Sequence, residues 1–133
     1  MIRPIVAAGL CGLLLAACSS GPKSDPNDPN AGLEQEIVSW RNDLEAHNPA
    51  CQKKVGGHGC VSFEVTCKAM QEITPDESAR GVTAQVIAAM TYVGHSRDGA
   101  EKAGSAFALF SKSAGKWART EAMPINLRTC APL

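Results

Sequence analysis

Four side chains with metal-ligating chemistry fall within fourteen residues: His47, Cys51, His58 and Cys60. Zinc takes such a set tetrahedrally, and the glycines of Val55-Gly-Gly-His-Gly59 would let the loop fold around an ion. The spacing matches no zinc-finger pattern, however, so this loop (47–60) is the place for a small ligand or metal only as the second choice. Nucleophilic catalysis would need a Ser or Cys on a strained elbow with a base in reach, and no Gly-x-Ser-x-Gly occurs. Gly56-Gly57-His58-Gly59 has the look of a glycine-rich oxyanion turn, but short Gly runs are ordinary loop chemistry. His95-Ser96-Arg97-Asp98 sets a base beside a carboxylate in a polar stretch, where solvation is the simpler fate. Glu64 is the one candidate for a carboxylate pair, and it falls on the wet side of its predicted strand. No Gly-rich phosphate loop follows a strand, so no nucleotide or other cofactor is implied. No catalytic residue and no enzyme is expected.

The remaining reactive position is Cys18. Arg3 charges the N-terminus, Ile5 to Ala17 is almost wholly apolar, and Ala16 and Ala17 are small. That is the layout of a secretory signal. The apolar run has 13 residues, against the roughly 20 a spanning helix needs. Leu15-Ala16-Ala17-Cys18 resembles the lipobox of bacterial lipoprotein signal peptides at every position. The resemblance covers only residues 1 to about 20. It implies diacylglyceryl transfer to the Cys18 thiol, cleavage before Cys18 and acylation of the freed amine, palmitate being a typical chain. One acyl chain binds a membrane only marginally, and two or three anchor stably. In that family Asp after the Cys retains the protein in the inner membrane. Ser19 in its place implies the periplasmic face of the outer membrane. The first partner is therefore the lipid bilayer; a second, protein partner in the envelope is expected but is not identified by any residue.

Removal of residues 1–17 discards Cys11 and leaves Cys51, Cys60, Cys67 and Cys130. An even count in a small exported domain reads as two disulfides. Three pairings are possible. The favoured one joins Cys51 to Cys60 across a Gly-rich loop that can bend back on itself, and Cys67 to Cys130, stapling the tail to the first strand. Loop-closure entropy puts the bridges at about 2.7 and about 4.3 kcal/mol. With the signal gone, 12 Lys and Arg face 13 Asp and Glu. Such balance, without an exposed aromatic platform, points away from nucleic acid.

The elements that must carry these residues can be read in order. Residues 18–30 hold three prolines and no large apolar side chain, which predicts a disordered tether. Residues 31–133 make one small domain. Leu33, Ile37, Trp40 and Leu44 share a helical face, with Glu34 and Glu36 near its positive end and Pro49 after it, so a helix is expected over 32–46. Val61, Phe63, Val65, Cys67 and Ala69 alternate with Ser62, Glu64, Thr66 and Lys68, predicting a half-buried strand. Thr74-Pro75-Asp76-Glu77 opens a helix that Gly81 can end. Residues 82–92 then read as a strand, the rival being continuation of the helix through Met90. Residues 94–104 read as a polar loop, Ser105 to Ser111 as a buried strand, and Ser113 to Lys116 as the turn of a hairpin returning through Trp117 to Glu121. Pro124 breaks that strand and an irregular tail follows. Phe63, Tyr92, Phe107, Phe110 and Trp117 read as packing residues. The fold class is thus α+β, one N-terminal helix on an antiparallel meander of about four strands, disulfide-stapled. Its order is similar to that of cystatin-like helix-on-sheet folds, an analogy of architecture that implies no activity.

Overall fold

Leu33, Ile37 and Trp40 project from one side of a helix onto a sheet whose facing residues are Val86, Ala88, Met90, Ala108 and Phe110. The computed structural model describes residues 27–133; the expected signal segment, Cys18 and most of the expected linker lie outside the described residues. Helix α1 spans Leu33–His47 and is followed by a four-residue α2, Pro49–Gln52. Pro49 both ends α1 and starts α2, since the first turn of a helix does not need its missing N–H. Strands β1 (Val61–Met70), β2 (Val82–His95), β3 (Glu101–Ser113) and β4 (Lys116–Glu121) follow, with α3 (Pro75–Ala79) between β1 and β2. All neighbouring strands are antiparallel, in the order β1-β2-β3-β4.

The expected α+β class and four-stranded meander are observed, and the helix begins near residue 33, at the start of the domain rather than of the chain. α3 opens with the expected capping box: Glu77 N–H donates to Thr74 Oγ1 at 3.2 Å and Thr74 N–H to Glu77 Oε2 at 2.9 Å. Residues 82–95 are strand, not a continued helix. β2 is interior, buried on the α1 side from Ala84 on and half to fully buried on the other, and apolar residues run almost unbroken along it. Its Gln85 stays satisfied, its amide donating to Glu77 Oε1 at 3.1 Å and Ser111 Oγ at 3.2 Å.

Two expectations are corrected. The stretch 94–104 is largely paired strand: Gly94 faces Lys102 and His95 faces Glu101, so the turn holds only residues 96–100. Its glycines serve close approach. A Cβ on Gly104 would stand 2.5 Å from the Tyr92 ring, and one on Gly94 would stand 2.6 Å from the Ala50 carbonyl oxygen. Strict alternation in β1 also fails. The pairing to β2 shifts between Val61 and Glu64 and again between Val65 and Cys67, with Ser62 at φ 58°. Each bulge adds a residue on one strand and moves the following side chains to the other face. Phe63 and Val65 therefore pack toward α1, whereas Val61, Cys67 and Ala69 share the opposite, outer face with Val93, Ala89 and Ile87.

Polar contacts fasten α1 to both edges of the sheet. Lys68 of β1 meets Glu34 at 2.6 Å, and Arg119 of β4 meets Asp43 at 2.6 Å. The segment before α1 is held as well: Ala31 N–H donates to the Asp28 carbonyl at 3.0 Å and Trp117 Nε1 to the Ala31 carbonyl at 2.8 Å.

Candidate functional site

The loop 47–60 is organised by Asn48. Its Oδ1 accepts from Ala50 N–H at 3.0 Å, capping α2, and its Nδ2 donates to Tyr92 Oη at 2.8 Å, tying the loop to β2. Cys51 then points inward, fully buried, and is bonded to Cys60 with Cα atoms 4.7 Å apart. Between them Val55 and His58 exchange backbone hydrogen bonds of 2.9 and 3.2 Å around Gly56 and Gly57. His58 is therefore on an exposed tip, and His47 Nδ1 donates to the Asp43 carbonyl at 3.2 Å. The four possible ligands do not converge: the two sulfurs are spent on each other and the two imidazoles stand on separate turns. Among the described residues no group of three or more His, Cys, Asp or Glu is placed to hold a metal.

The other chemical candidates separate in the same way. Asp98 accepts from Ser96 Oγ and from Ala100 N–H, and these bonds hold its carboxyl below the ordinary range. That carboxylate closes the β2–β3 turn. His95 Nδ1, by contrast, is shielded from solvent with no hydrogen-bond partner, so the two do not form a base–carboxylate pair. Glu64 is exposed on the outer face, where the first bulge sets it on the same side as Val61 rather than opposite it, and no second carboxylate lines the hollow beside it.

That hollow opens on the outer face. It is a groove of about 430 Å³ between the sheet and the C-terminal tail, lined by Ser62, Glu64, Thr91, Val93, Ser105 and Leu127 among others. The tail crosses the face as a tight loop. Asn126 Oδ1 accepts from Arg128 and Thr129 N–H at 2.9 and 3.1 Å, and Asn126 N–H donates to the Ala131 carbonyl at 2.8 Å. Ile125 and Cys130 are its buried anchors, against Ala89, Ile87 and Phe107. Cys130 is bonded to Cys67 with Cα atoms 5.7 Å apart, so both disulfides are those expected. Sequence reasoning located the tail and its staple. The groove was invisible to it, because the bulges that turn Val61 and Cys67 outward leave no mark in an alternating sequence.

Comparison of the chain with protein-family models, with curated proteins and with solved structures finds no match.

Proposed function

We propose that this chain is a bacterial envelope lipoprotein, cleaved before Cys18, acylated on that residue and held on the periplasmic face of the outer membrane. Its domain acts there as a non-enzymatic binding module that meets another envelope component through the outer face of the sheet. The observation that carries this reading is the contrast between the two faces. The side toward α1 is filled at its centre, with Phe110 and Ala88 without accessible surface, and its hollow of about 500 Å³ lies at the rim between α1 and β4, among the charged or polar Asp43, His47, Arg119 and Glu121. The outer side keeps an open groove beside a tail fixed in place by a disulfide. A rigid, partly apolar, one-sided surface is suited to contact with another macromolecule. Two disulfides support the address, since such bridges persist in oxidising compartments.

Two experiments test the two halves. Cells fed radioactive palmitate should label the natural chain and not Cys18→Ala; label kept in the variant would refute the anchor. Crosslinking in cells followed by co-purification should recover an envelope component whose yield falls when Val93 and Ser105 are replaced by Glu. Undiminished recovery would refute the outer-face contact.

A further inference from the structure

We propose that the hollow between α2 and the β2–β3 hairpin binds an anionic phosphate group, either free in a small molecule or carried by a lipid headgroup. This inference stands apart from the lipid anchor and the outer-face contact. The hollow measures about 690 Å³, within the range of small-molecule sites. Three cations from three segments line it: Lys53 from the end of α2, Arg97 from the turn and Lys102 from β3. No carboxylate lines it with them. Among the described residues, none of the three makes an ion pair; the two ion pairs present use Lys68 and Arg119. Asp98, the acid next to Arg97 in the chain, is engaged by Ser96 and Ala100 instead.

Three like charges around one concavity repel one another, and a bound anion reverses that repulsion. Phosphate suits the set because a guanidinium can meet it bidentately while ammonium groups add point charge. The walls are also built rather than loose. The Cys51–Cys60 bridge fixes α2, and Gly94 lets the Ala50 backbone lie directly against β2. His95 also lines the wall, and its Nδ1 is a shielded polar atom still without a partner.

The test uses the full chain in neutral detergent, titrated calorimetrically at low salt with inorganic pyrophosphate and, separately, with dihexanoyl-phosphatidylglycerol. Saturable pyrophosphate binding identifies a free phosphate as sufficient; saturation by the short-chain lipid alone identifies the headgroup as the source. For whichever probe binds, Lys53→Ala/Arg97→Ala/Lys102→Ala should weaken affinity about tenfold or more. The charge-matched Lys54→Ala/Lys116→Ala/Arg128→Ala should leave it essentially unchanged. If the triple variant does not fold, Arg97→Ala, at an exposed turn position, gives the same readout with a smaller loss. Absence of saturable binding to both probes, or equal losses in the two triple variants, would overturn the proposal.

Discussion

The two faces of the sheet are covered by different means. On one, α1 satisfies its own backbone hydrogen bonds and lays Leu33, Ile37 and Trp40 in a single stripe on Val86, Met90 and Phe110. Trp40 meets Phe110 edge-on with ring centroids 5.7 Å apart. On the other, a short irregular tail offers one large apolar anchor, Ile125, and must satisfy its own polar backbone through Asn126. A helix buries enough apolar surface to hold its place without a covalent bond. The tail buries too little, and Cys67–Cys130 supplies what packing does not. The bridge spans 63 residues, so in the chain-entropy account it restricts the unfolded state far more than the bridge spanning 9.

The largest loss is expected on the helix side. Phe110→Ala removes a fully buried ring and should cost about 3–5 kcal/mol. Urea unfolding should show that loss as one cooperative transition, with both faces failing together. Removing the long bridge by Cys67→Ala/Cys130→Ala should cost about 2–5 kcal/mol. Its signature should be local: amide exchange rises first over residues 122–133, while α1 keeps its protection. Uniform acceleration across the domain would mean that the tail is integral to the main core. The smallest effect is electrostatic. Asp43 is held below the ordinary carboxylate range by its hydrogen bond and charge pairing with Arg119, and Glu77 by the Thr74 backbone and the Gln85 amide. A depressed folded-state pKa contributes stability above the unfolded value and loses it as pH falls through the folded one. The melting temperature should therefore hold steady at neutral pH and drop on acidification through the carboxylate range. Asp43→Asn should shrink that drop slightly, since Asp43 is exposed and Arg119 only partly buried.

Much of this molecule was legible in its residues. The period of Leu33, Ile37 and Trp40, the box at Thr74 and Glu77, and the Ser113–Lys116 turn are local signals, and local geometry honours them. The length of the β2–β3 hairpin was not legible. Gly94, Lys102 and Gly104 have loop chemistry, and what makes them strand is the Tyr92 ring over Gly104 and the α2 backbone against Gly94. Tyr92 is Gly104's partner across the hairpin, whereas the Ala50 backbone reaches Gly94 from a segment more than forty residues earlier in the chain.

The order of the amino acids was enough for the domain's class, its helix and its strand count, and it narrowed the four cysteines to three pairings, of which the structure shows Cys51–Cys60 and Cys67–Cys130. These follow from nearest-neighbour periodicity and from the small number of ways to join four cysteines. Only the tertiary structure decided which residues of β1 face outward, that Arg97 and Lys102 meet Lys53 around one hollow, and that His47, His58 and the two sulfurs do not meet at all. The physical reason is that bulges and crossings set side-chain direction through contacts between segments far apart in the chain, and no local pattern encodes where those segments come to rest.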